Sequence, residues 1–205
     1  MWKPFNNIAL LLASTMLLAA CATAPGPGEQ QVGRKTAEVP DKAKATYDRA
    51  IWSAKAGRDA EATALFAELT QTYPDMTLAF TNLGLQYLKA GKLPEAEQAL
   101  QQAVTLDPGN AVALNHLGVA LREQGKFQPA LQAYQSALQT RPDYAAAHLN
   151  LGILYDLYIQ NLPLALQQYE TYQNLTGSSD KQVANWIIDI KQRMAAQARK
   201  GGQQG

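Results

Sequence analysis

The stretch TLAFTNLGLQYLKAGKLPEAEQALQQAVTLDPGN, residues 77–110, runs straight into AVALNHLGVALREQGKFQPALQAYQSALQTRPDY, residues 111–144. Superposed, the two agree at Leu83 and Leu117, Gly84 and Gly118, Gly91 and Gly125, Ala96 and Ala130, and Pro108 and Pro142. The interval is 34 residues each time, and Gly57, Ala62 and Pro74 extend it upstream. A fixed period of this length marks an array of stacked units, none of which can bury its apolar face alone. Apolar residues at spacings of three and four in each half-unit predict two helices. Gly91 and Gly125 stand where a helix ends and the chain needs a left-handed residue. Pro108 and Pro142 cannot continue the preceding helix and so punctuate the units.

Phe80, Leu83, Gly84 and Tyr87 match the W-x2-L-G-x2-Y pattern of the tetratricopeptide repeat, with Gly91, Ala96, Leu100, Ala103 and Pro108 at the later consensus places. Leu114, Leu117, Gly118, Leu121, Gly125, Ala130, Tyr134, Ala137 and Pro142 repeat the pattern. The chain thus resembles that family, and the resemblance implies an all-α superhelix of about four helix–turn–helix repeats: 43–76, 77–110, 111–144 and 145–177. The outer units depart from consensus, as capping repeats do. Arg49 and Ala50 replace the Leu-Gly pair in the first. The fourth keeps Leu151, Gly152 and Tyr155, then takes one extra residue, expected in its turn (YIQNLP), so that Ala165 and Tyr169 arrive one place late; Gly177 stands where the closing proline would fall. Val183, Trp186, Ile187, Ile190 and Met194 form one apolar face and predict a capping helix over 178–200. The tail 201–205 is expected to be disordered.

At the other end, Lys3 precedes an apolar run from Ile8 to Ala20, too short to span a bilayer, which needs about 20 residues. It reads as a signal peptide over residues 1–20. Leu18-Ala19-Ala20-Cys21 resembles the lipobox of bacterial lipoproteins, which implies cleavage before Cys21 and lipidation of it. Cys21 is the only cysteine, so no internal disulfide forms and acylation explains the odd thiol. Two or more acyl chains on one residue anchor stably. Ala22 in place of an acidic residue resembles an outer-membrane sorting signal, which applies in a Gram-negative host and implies a periplasm-facing protein. Residues 21–40, with Pro25, Gly26, Pro27 and Gly28, read as a flexible tether.

Without Lys3 the basic and acidic side chains balance at 17 each. No basic stripe appears, which argues against nucleic acid. Neither H-E-x-x-H, nor G-x-S-x-G, nor a phosphate loop occurs. His116 and His148 lie 32 residues apart on different predicted helices, and His148 takes a core position. The expectation is a binding protein, not an enzyme, with no cofactor or metal and no small-molecule substrate.

The resemblance further implies that the first helix of each repeat lines a concave groove. Position 9 gives an apolar column, Ile51, Leu85, Val119 and Ile153. Position 6 gives a polar one, Asp48, Asn82, His116 and Asn150. Tyr47, Thr81, Asn115 and Leu149 hold position 5, and Arg122 and Asp156 hold position 12. Asn82, Asn115 and Asn150 are candidates to bond a peptide backbone while the apolar column buries its side chains. The alternative is that position 9 packs between repeats and the amides are merely solvated. A chaperone-type carboxylate clamp is rejected: Tyr47, Ile51, Val112 and His116 fail its places and only Asn82 fits. Together these features resemble bacterial lipoproteins that carry such repeats, among them pilotins of type IV pili, the repeat lipoprotein of β-barrel assembly, adaptors of peptidoglycan hydrolases and small proteins of TonB/ExbB-type systems. They imply a protein or peptide partner. A pilotin-like assembly role and a passive tether are the alternatives.

Overall fold

The computed structural model describes residues 40–201. The signal peptide, Cys21 and nearly all of the tether lie outside the described residues, as does the tail from 202 onward. Nine α-helices make up the described part: α1 (Asp41–Lys55), α2 (Asp59–Thr72), α3 (Thr77–Lys89), α4 (Leu93–Leu106), α5 (Ala111–Glu123), α6 (Phe127–Thr140), α7 (Ala145–Ile153), α8 (Leu162–Leu175) and α9 (Lys181–Gly201). Helices α1 to α8 form four antiparallel pairs. Within the array α3 also touches α5, and α5 touches α7, so the odd helices share one surface.

The pairs close because one helix gives up its Cβ where the other is widest. A Cβ on Gly118 would fall 2.5 Å from Cε1 of Tyr134, and one on Gly152 would fall 2.5 Å from Cε1 of Tyr169. Gly84 meets Leu100 in the same way. In the first pair Ala50 and Phe66, at equivalent places, are both wholly buried. Leu100, Tyr134 and Tyr169 are buried in turn, and the core runs through them to α9.

The turns inside the pairs use Gly57, Gly91 and Gly125 at φ +72, +69 and +75. In the fourth pair Gln160 takes that place, at φ 58. The extra residue expected in this turn is not there. It is absorbed one step earlier, where Leu154–Ile159 winds as a π-helix. A wider helical turn takes up one residue without breaking the backbone ladder.

Helix α9 lays Val183 and Ile190, both buried, against the array, and Trp186 sits 5.4 Å from the Tyr169 ring. Its start is fixed by Asp180. Oδ1 accepts from the backbone N–H of Gln182 and Val183, and Oδ2 from the Tyr172 hydroxyl at 3.0 Å. The Val183 N–H, foremost, holds the Asp180 carboxyl below its ordinary value. Helix α9 continues through Gly201, which the sequence reading had assigned to the tail.

Gly118→Ala is expected to cost about 1–3 kcal/mol in urea unfolding, because the Tyr134 ring has nowhere to retreat. Gln160→Gly should raise stability by up to about 1 kcal/mol by relieving the left-handed strain. Asp180→Ala should speed amide hydrogen exchange in α9 while leaving α5 and α6 protected. That contribution of Asp180 is present above the ordinary aspartate range and is lost as pH falls through the lowered value.

Candidate partner-binding groove

The residues of the expected apolar column fall one to each odd helix of the array. Ile51, Leu85, Val119 and Ile153 come from α1, α3, α5 and α7, and each is half-buried. Leu149, also half-buried, packs with Val119 and Ile153 against the core.

The polar column behaves otherwise. Asn115 is buried, 1% exposed, and its Oδ1 accepts from Asn150 Nδ2 at 3.0 Å. Asn82 Nδ2 donates to the Tyr47 hydroxyl at 2.9 Å and to the Leu78 carbonyl at 2.8 Å. Both links join one odd helix to the next at an interval of 35 residues, position 5 to position 6. Asn82, Asn115 and Asn150, the candidate contacts for a peptide backbone, are thus already bonded to neighbouring odd helices. Asn115 is closed off, and the amide nitrogens of Asn82 and Asn150 hold neighbouring pairs in register. A buried amide must find a partner, and the adjacent helix is nearest.

The charged residues at position 12 also turn inward. The Arg122 side chain is 10% exposed and its Nη2 bonds Glu123 at 2.8 Å. Its Nε and Nη1 are buried with no acceptor, as is the Tyr134 hydroxyl. Asp156 is buried and paired at 2.8 Å with Arg193 of α9. Arg193, beside the apolar face of α9, escaped the sequence reading because its partner lies 37 residues away. Nothing in the repeat pattern reports it.

His116 is half-buried in the groove, and burial pushes its imidazole below the ordinary value of 6.5. His148 is half-buried rather than a core residue. Its Nδ1 lies 2.7 Å from Gln168 Oε1 and its Nε2 lies 2.9 Å from the Pro142 carbonyl, so it ties α7 to α8 and to the preceding turn. Burial raises the phenols of Tyr134 and Tyr169 well above their ordinary value. Among the described residues no cluster of three His, Cys, Asp or Glu side chains could hold a metal, and no helix is long and apolar enough to cross a membrane.

These features define a helical-repeat solenoid with an apolar inner column and an interlocked polar row. A family model for the tetratricopeptide repeat matches residues 81–145 and 117–179. Residues 81–179 thus match tetratricopeptide repeats, and the described helices form a solenoid of that fold. Among solved structures, pilF of Pseudomonas aeruginosa is similar at 23% identity and TM-score 0.67, over 78% of this chain and 73% of that one. The first such domain of Spaghetti (RPAP3), bound to the HSP90 peptide SRMEEVD, is similar at 25% identity and TM-score 0.55, over 58% and 93%. The Thermobaculum terrenum O-GlcNAc transferase mutant K341M is similar at 26% identity and TM-score 0.61, over 65% of this chain but only 26% of the enzyme. No curated protein matches by sequence.

His116 should titrate by NMR with a midpoint below 6.5. Because the folded state disfavours its protonation, stability should fall as pH drops through the unfolded value near 6.5, and His116→Gln should flatten that slope.

Proposed function

We propose that the protein is a lipid-anchored adaptor that captures a protein or peptide partner in the groove of its odd helices. The half-buried column Ile51, Leu85, Val119 and Ile153 carries this reading. It places one apolar side chain on each odd helix, beside Asn82, Asn115 and Asn150, which are bonded between helices. Such a column gains by covering apolar side chains of a partner, at roughly 25 cal/mol per Å². Relatives with this fold bind peptides, as the RPAP3 domain does. We read each helix pair as one repeat, four in all, with α9 as the cap.

The membrane address rests on Leu18-Ala19-Ala20-Cys21. Acylated there, the protein faces the periplasm from the outer membrane in a Gram-negative host. The anchor raises the local concentration of whatever the groove holds. An envelope assembly or energy-transduction system is the setting we infer.

The test is capture from crosslinked membranes with wild type and with Leu85→Glu/Val119→Glu, after confirming equal melting temperatures. Specific partners lost in the double variant support the groove. An identical set from both would mean that the groove takes no ligand. Cys21→Ser should move the protein from the detergent phase to the aqueous phase on detergent partitioning. If it stays with the detergent, the anchor is elsewhere.

A further inference from the structure

Each place where one helix pair meets the next repeats the same set of positions. Where α4 meets α5, the edge is filled by Glu97. Its Oε2 accepts from Lys126 Nζ at 2.6 Å and from Gln124 Nε2 at 2.7 Å. Where α6 meets α7 and the π-helix, the edge is filled by rings, Phe127 lying 4.8 Å from Tyr158, with Leu131 packed on the core beside them. Where α2 meets α3, the corresponding places hold Thr63, Ala64, Ala67 and Ala90. These short side chains leave a cleft of ≈ 510 Å³.

Two polar groups at this cleft make no hydrogen bond within the described residues, the ammonium of the exposed Lys92 and the buried Oε1 of Gln86. Lys92 is the equivalent of Lys126, but the equivalent of Glu97 is Thr63. No carboxylate lies within ion-pairing distance of Lys92 among the described residues, and its ammonium stands 6.0 Å from the Tyr87 ring centre. Gln86 Oε1 is buried and accepts no hydrogen bond. Its equivalents, Ala120 and Leu154, are apolar and wholly buried. Lys89 is already neutralised by Asp59 at 2.7 Å, so the cleft keeps one uncompensated positive charge.

We propose that the cleft between α2 and α3 is a docking site for a protein partner that inserts a glutamate side chain. Its carboxylate pairs with Lys92 as Glu97 pairs with Lys126. The partner supplies in trans the group that the neighbouring interface supplies from its own helix. A charge-assisted hydrogen bond is roughly twice as strong as a neutral one. The site lies on the edge that carries the α1–α2 and α3–α4 turns and uses none of the apolar groove column.

The probe is the peptide acetyl-Ala-Glu-Leu-Ala-amide, titrated into the purified protein and followed by amide NMR, with the Gln twin beside it. Shifts should centre on Gln86, Lys92 and Ala64. Affinity should fall at least tenfold for the Gln twin and for Lys92→Met. Binding should vanish in Thr63→Glu, which restores the internal carboxylate. Equal binding of the two peptides, shifts centred on Leu85 and Val119, or no shift at all would each overturn the site. If Thr63→Glu does not fold by circular dichroism, the Lys92→Met titration decides.

Discussion

Every helix pair depends on a close approach that only a missing or minimal side chain permits. Tyr134 occupies the space above Gly118, and Tyr169 the space above Gly152. Two helices at this distance form a continuous dry seam, and the seam fixes their crossing. The rest follows from that contact. Once each pair is set, its odd helix presents the same positions as the last, so columns of residues line up along the array. Leu85 next to Val119 is a consequence of Gly84 under Leu100. A change at the seam would therefore be felt in the groove, although no groove residue had changed.

The interlocking of the odd helices adds a second layer of order. Apolar contact between stacked pairs tolerates small rotations, whereas a hydrogen bond is directional and does not. Tyr47 to Asn82 and Asn115 to Asn150 pin alternate junctions in this way. The junction between them is held differently. Asn110 caps α5 through the backbone N–H of Ala113 and also reaches Thr81 Oγ1 at 3.2 Å. A preformed groove loses less entropy on binding than one that must be ordered. Amides spent inside the array thus stiffen it, and in the proposed adaptor that rigidity would aid recognition.

Much of the architecture was legible because the signals are local and recur. Gly57, Gly91 and Gly125 announce turns by a backbone need that no other residue meets as cheaply. The apolar face of α9 could be read from Val183 to Met194. What could not be read depends on a partner distant in sequence. The position-6 amides read as ligand contacts or as solvated groups because their partners lie 35 residues away, one place off the repeat interval. The inward course of Arg122 and the Arg193–Asp156 pair were likewise hidden, since a charged residue at a ligand-facing position gives no sign that it folds back. The extra residue near YIQNLP was evident, but not its location. Sequence favours a loop, while packing of Leu154 into the core kept the helix intact and widened it.

That widened turn bears on how arrays of this kind change over generations. An added residue in a helix ordinarily rotates everything beyond it by about 100°. Here the surplus is spent within Leu154–Ile159, and Gln160 restores the left-handed turn from which α8 departs. Beyond it Ala165 and Tyr169 are buried as Ala130 and Tyr134 are, so the phase of the last pair is recovered. The end of an odd helix is thus a place where the chain can lengthen by one without mispairing its neighbours. One extra residue is accommodated there while the Gly152–Tyr169 seam keeps the form of the Gly118–Tyr134 seam.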